Sequence, residues 1–148
     1  MKKMLGLVFI SSLALFLFIQ LIPYGKDHTN PPVLQEAPWV STEARLVAQR
    51  ACFDCHSNET VWPWYSRIAP VSWLVYRDVV EGRKALNFSE WGRGDQEVEE
   101  IGETIAEGEM PPRQYLLTHP EAWLSESDKA VLYGSLPGIE GEHEDEDD

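Results

Sequence analysis

The chain is short of the residues that bind polyanions. Twelve Lys and Arg stand against twenty-five Asp and Glu, for a net charge of −13. Phosphate recognition draws on clustered cations, so this balance speaks against nucleic acid as a partner. Cysteine is scarcer still: Cys52 and Cys55 are the only two, which confines any thiol chemistry to one place. No run alternates apolar and polar residues with a period of two, so the pattern of half-buried strands is missing. There is no internal repeat either, which removes solenoids and propellers.

One segment lacks charge altogether. After Lys2 and Lys3, the nineteen residues from Met4 to Ile22 carry only Ser11, Ser12 and Gln20 as polar breaks. As a helix they reach about 28 Å, close to the roughly 30 Å hydrocarbon layer of a bilayer. The run ends in Gln20-Leu21-Ile22-Pro23-Tyr24, without the small-residue pattern of a cleavage site. It reads first as an uncleaved anchor, then as a cleaved signal peptide, and last as a buried core helix. Either of the first two exports the remainder of the chain, because the basic end stays cytoplasmic. The expected location is the inner (cytoplasmic) membrane, single-pass, with the domain on the periplasmic or outer face. Residues 1–22 hold two lysines and no acid, which leaves −15 for the exported remainder. Such a surface suits a positively charged protein or small molecule.

The chain divides into four regions: an anchor or signal over 1–22, a linker over 23–39, a domain over 40–138, and a disordered acidic tail over 139–148. The linker rests on Pro31, Pro32 and Pro38 and the absence of a sustained period. In the domain, Ser41 or Thr42 caps a first helix that runs through Leu46, Val47 and Ala51 into Cys52 and stops near Ser57-Asn58. Val61-Trp62-Pro63-Trp64-Tyr65 reads as a packed loop. Pro70 suits the first turn of a second helix, Val71 to about Leu86, with Trp73, Leu74, Val79 and Val80 as its buried face. Asp95 caps a third helix through Val98, Ile101 and Ile105, ended by Gly108. Met110-Pro111-Pro112 is extended, since proline disfavours helix at the preceding residue. Ser125 or Ser127 starts a last helix ending at Gly134 and Pro137. The fold class is all-α: a small helical domain behind one N-terminal transmembrane helix.

The two cysteines stand as Cys52-Phe53-Asp54-Cys55-His56. Two thiols a helical turn apart can add to two vinyl groups on one porphyrin edge, and the next residue can offer an imidazole to the iron. The pattern therefore points to one covalent haem c, attached through Cys52 and Cys55, with His56 as an iron ligand. A thioredoxin-like redox pair or a simple disulfide is the plainer alternative. A redox pair usually opens a helix after a strand, whereas this one comes after a helical pattern. A zinc site lacks further ligands at matched spacing.

A second iron ligand is reached by elimination. Met1 and Met4 belong to the anchor's cytoplasmic end, which leaves Met110, stiffened by two prolines. A lone methionine is more often a flexible core filler. The rivals are an open sixth site and His119, with His28 and His143 behind them.

With Trp62-Pro63-Trp64-Tyr65, Ile68-Ala69-Pro70-Val71-Ser72-Trp73 and Gly82-Arg83-x-x-Leu86-Asn87-Phe88-Ser89-x-Trp91 added, the chain resembles the bacterial haem-binding domain family of small c-type cytochrome-like proteins. The resemblance covers roughly Trp39 to Pro137. It implies a helical cytochrome-c-like domain with one covalent haem on Cys52, Cys55 and His56; it implies no particular reaction or partner. Around such a haem, Trp62, Trp64 and Tyr65 could line the pocket, against the plainer reading of core aromatics. Arg67, Arg83 and Arg113 could pair with its propionates, against the plainer state of solvated or carboxylate-paired arginines.

The leading functional expectation is a one-electron carrier, not an enzyme, serving redox partner proteins in the membrane or periplasm, some with a basic docking face. A haem-based sensor with an open sixth site is the alternative. A peroxidase-like enzyme ranks last, since only His119 offers itself as a distal acid–base group.

Overall fold

Ser41 sets the start of the domain's first helix: its Oγ accepts from the Ala44 amide at 3.1 Å. In the computed structural model the described residues are 1–94 and 96–135, and seven α-helices lie among them. Helix α1 is Lys2–Ile19, α2 Thr42–Ala51, α3 Phe53–His56, α4 Val71–Ala85, α5 Ile101–Ala106, α6 Arg113–Leu116 and α7 Glu126–Tyr133. Short 3₁₀ turns at Trp64–Arg67, Val98–Glu100 and Pro120–Ala122 join them. No strand occurs among the described residues, only one bridge between Gln35 and Glu90. The fold is all-α, with an apolar N-terminal helix. Asp95 and the acidic tail lie outside the described residues.

None of the residues of α1 is buried, so it is no core helix of this domain. At 18 residues and a mean hydropathy of 1.9, it is long and apolar enough to cross a membrane. Its end is tied down. The Gln20 side chain donates to Ala69 O and accepts from Ala69 N, both at 3.0 Å.

The 23–39 segment, expected to act as a spacer, lies along the domain. Asn30 Nδ2 donates to Thr60 O at 2.9 Å, the Leu34 and Ala37 amides donate to Ser89 O and Phe88 O, and Ala37 is buried. Proline and a missing period exclude a helix there, but not hydrogen bonding to neighbouring chain.

The core gathers Val47, Ala48 and Ala51 of α2, Phe53, Leu86, Phe88, Ile105, Leu124 and Leu132. Phe88 is its centre: Trp39, Phe53 and Trp91 place their rings 5.0, 5.6 and 6.2 Å from it. In α4 the buried stripe differs from the expected one. Ser72 and Val79 are buried, whereas Leu74 and Val80 are exposed. The reason is close approach: a Cβ on Gly82 would sit 2.6 Å from Cys55 O, so the Gly82 side of α4 meets α3. At the far end Ser125 forms a capping box with Asp128 and starts α7, which packs on α2.

Candidate functional site

Helix α2 breaks at Cys52, whose φ of −125° leaves the helical region, and the chain resumes as the single turn α3. That turn carries Cys55 and His56, with the His56 amide donating back to Cys52 O at 2.9 Å. A cleft of about 320 Å³ opens beside it. Cys52, Cys55, His56 and Met110 all line it, along with Ala51, Leu86, Phe88, Ile101, Ile105 and Leu124. Met110 arrives from the loop after α5, where Gly108 adopts a φ of +70° and the Met110 amide donates to Thr104 O at 3.1 Å. The structure thus brings the four sequence-selected residues to one mostly apolar cleft.

Both thiols are free, and burial pushes each up to about 12. Desolvation of the thiolate is the cause. A redox-active pair needs a depressed thiol instead, so the environment weighs against a thioredoxin-like role. His56 Nδ1 lies 3.2 Å from Leu86 O. Donation there keeps the proton on Nδ1 and leaves Nε2 bare. Burial also lowers the imidazole's pKa and holds it neutral, the form that binds a metal.

The wall behind His56 is a closed polar network. Phe88 N donates to His56 O at 2.8 Å, Asn58 N to Ser89 Oγ at 3.0 Å, Asn87 Nδ2 to Asn58 Oδ1 at 2.9 Å, and Ser89 N to Asn87 Oδ1 at 2.9 Å. Asn58, Asn87 and Ser89 are buried, so each of these bonds replaces lost hydration. The Ser57-Asn58 and Asn87-Phe88-Ser89 segments are therefore two halves of one support.

The other candidate ligands lie elsewhere. His119 lines a neighbouring groove of about 370 Å³, stacked on Tyr115 with ring centres 4.1 Å apart. His28 stacks on Trp62 at 4.3 Å, with Nε2 3.1 Å from Ser66 O. His143 lies outside the described residues.

Two of the options the sequence left open do not hold. Trp62, Trp64 and Tyr65 do not line the cleft: Trp62 covers His28, Trp64 is exposed, and Tyr65 borders the second groove. Nor do Arg67, Arg83 or Arg113 line it. Arg83 spends its donors on Ser57 O (2.8 Å), Thr29 O (3.2 Å), Asn30 Oδ1 (2.8 Å) and Thr60 Oγ1 (2.9 Å). A partly buried guanidinium must satisfy its N–H groups, and these acceptors do so. The charged residues that do line the cleft are carboxylates: Asp54, Asp78, Glu81, Glu97 and Glu100.

Three contributors escaped sequence reasoning. Gly82 admits the Cys55 backbone against α4, and an isolated glycine inside a helical pattern was the available signal. Asp54 accepts from Val61 N and from Tyr115 Oη, both at 2.8 Å. Tyr115 thereby ties the segment after Met110 to the segment between the cysteines, a long-range contact with no local signature.

The donor set fits haem c: two protonated, apolar-facing thiols, a neutral imidazole with one nitrogen bare, and a thioether in the same cleft. No curated protein and no solved structure matches the chain. The family model described as a haem-binding domain matches residues 14–136, well over half of the chain, and the chain therefore belongs to the haem-binding domain family.

Proposed function

We propose that the chain is a membrane-anchored c-type cytochrome that carries one electron at a time between redox proteins of the membrane or periplasm. The observation that carries this reading is the convergence of Cys52, Cys55, His56 and Met110 on one apolar cleft. The haem supplies the one-electron redox couple. The chain's own residues do the rest. Cys52 and Cys55 would hold the haem through thioethers, and the bare Nε2 of His56 and the Met110 sulfur would bind its iron. Leu86, Phe88, Ile101 and Ile105 exclude water from the cleft. The carboxylates at its lining favour a partner with a basic docking face. Helix α1 holds the domain at the bilayer as an uncleaved anchor. On this reading the protein is a carrier and not an enzyme. His119, the one acid–base candidate of the peroxidase reading, lies in the neighbouring groove.

Pyridine haemochrome analysis and mass spectrometry are expected to show one haem that survives acid–acetone extraction. Changing Cys52 and Cys55 to Ala removes it. An intact Cys52–Cys55 disulfide without haem, in cells with haem-attachment machinery, overturns the reading. Placement is tested separately: the protein stays in the membrane fraction through high-salt washing, whereas a mature N-terminus after Ile22 means a cleaved signal.

The sensor reading has one observation in its favour, the 39% exposure of Met110. The oxidised protein is expected to show the weak sulfur-to-iron band near the red end of the visible spectrum. Met110→Ala should erase it, lower the potential and open the reduced iron to carbon monoxide. Wild type that lacks the band and binds carbon monoxide stoichiometrically makes the sixth site open and the sensor reading the better one.

A further inference from the structure

Helix α1 does not leave the domain on a swivel. Gln20, the residue after its last turn, holds both backbone groups of Ala69. Lys26 Nζ donates back to Gln20 O. Five residues on, the Gly25 backbone presses on α4 so closely that a Cβ there would meet Ser72 O at 2.7 Å. Tyr24 and Tyr76 close the joint edge-to-face at 5.4 Å. The end of the span and the Trp64–Val71 corner are thus clamped together.

That corner is unlike the rest of the exported chain. Trp64 is 76% exposed, Val71 41% and Ile68 38%. Leu21 and Ile22 at the end of the span are exposed beside it. From residue 61 to residue 77 there is no Asp or Glu, and the charges are Arg67 and Arg77. Arg77 is paired with Asp78 and Glu81, while Arg67 is exposed between Trp64 and Ile68. The longest acid-free run of a protein with an exported charge of −15 is therefore apolar and cationic, and it lies where the span ends. Tryptophan favours the membrane–water interface, and an arginine there reaches anionic headgroups while its stem stays in the apolar layer.

Resting on the anchor reading, we propose that the corner formed by Trp64, Arg67, Ile68 and Val71 sits in the headgroup layer of the bilayer and binds anionic phospholipid. This second contact fixes the orientation of the domain on the membrane surface and so fixes which way the cleft faces.

The experiment uses the full-length, haem-loaded protein in nanodiscs of phosphatidylglycerol and phosphatidylcholine in equal parts, doped with a phospholipid carrying a photoreactive group at headgroup level. Peptide mapping is expected to find lipid adducts on residues 61–72 as well as at the end of the span, around 18–24. Replacing phosphatidylglycerol by phosphatidylcholine should lower the corner's yield several-fold and leave the span's unchanged. Trp64→Ser with Ile68→Ser should do the same, with the haem spectrum intact as the control for folding. Adducts at 18–24 without any at 61–72 overturn the proposal and leave the anchor reading standing. A mature N-terminus after Ile22 overturns both. Two copies of the chain per nanodisc, with no lipid adducts at 61–72, overturn it in favour of a second copy of the chain.

Discussion

His56 is fixed from several sides: its Nδ1 by Leu86 O, its carbonyl by Phe88 N, and its turn by Gly82 pressing on Cys55. Behind it stand Asn58, Asn87 and Ser89, buried and bonded to one another. Met110 is held by less. Its amide reaches Thr104 O, and further along the chain Tyr115 Oη reaches Asp54. The side chain itself is 39% exposed. Attachment of a cofactor demands a rigid wall, since thioether links and an imidazole must meet a flat ring in one geometry. On the proposed reading the sixth position has no such demand, and a loosely held thioether would let potential and ligand access change without a cost to the fold.

The largest expected effects test the rigid wall. Gly82→Ala places a methyl 2.6 Å from Cys55 O and 3.0 Å from Cys55 C, both backbone atoms with nowhere to go. Overpacking of this kind costs about 3 kcal/mol, and haem incorporation should fall with it. The matching change on the Met110 side is Gly108→Ala. There a Cβ meets nothing within 4 Å and only the φ of +70° is strained, at about 1 kcal/mol. Thermal melts of the two variants compare the walls directly. Equal losses would mean that the approach of α4 to Cys55 is not tight. Asn87→Ala comes next, because it strands the Asn58 carbonyl and the Ser89 amide in a buried place. About 2 kcal/mol is expected, and a loss within experimental error would show that water substitutes for the side chain.

Much of the fold was legible in the sequence, but only where the determinants are local. Ser41, Pro70 and Ser125 mark helix starts through side-chain oxygens or a fixed φ, and the structure starts helices there. The Cys52–His56 spacing points to haem within five residues, and the family match agrees. The rest depended on partners distant in sequence. Residues 23–39 look like a spacer until Ser89 and Phe88 accept their amides. Leu74 and Val80 look buried until a glycine and a serine take the side of α4 that meets the domain. Arg83 looks free for a propionate until four oxygens from two other segments surround it.

A smaller effect probes the looser wall. Tyr115→Phe removes one hydrogen bond, to Asp54, and should cost about 1 kcal/mol of stability at most. Its informative readout is elsewhere. If Tyr115 positions the Met110 loop, the sulfur-to-iron band weakens and carbon monoxide binds the reduced protein faster, while the melt barely moves. A variant with the wild-type band and wild-type carbon monoxide kinetics would show that Thr104 and the two prolines hold Met110 unaided.

The smallest effect concerns a half-buried ion pair that ties α2 to α7. Asp128 accepts from Ser125 N and Ser125 Oγ, at 2.9 and 2.6 Å, and pairs with Arg50 at 2.5 Å. Arg50, two residues before Cys52 in the chain, in turn donates to Glu121 O and Trp123 O. The Ser125 hydrogen bonds, with help from Arg50, lower the Asp128 carboxyl from 3.8 to about 2. A carboxyl depressed in the folded state stabilises the fold fully above its unfolded value, and that contribution drains away as pH falls from about 4 through about 2. The pair is solvent-screened, so the amount is under about 1 kcal/mol. Asp128→Asn keeps an acceptor for Ser125 N but cannot ionise. The stability gap between wild type and Asp128→Asn should therefore be constant near neutrality and narrow between about pH 4 and about pH 2. A gap that stays constant to about pH 2 would mean that Asp128 acts through its shape as a cap and not through its charge.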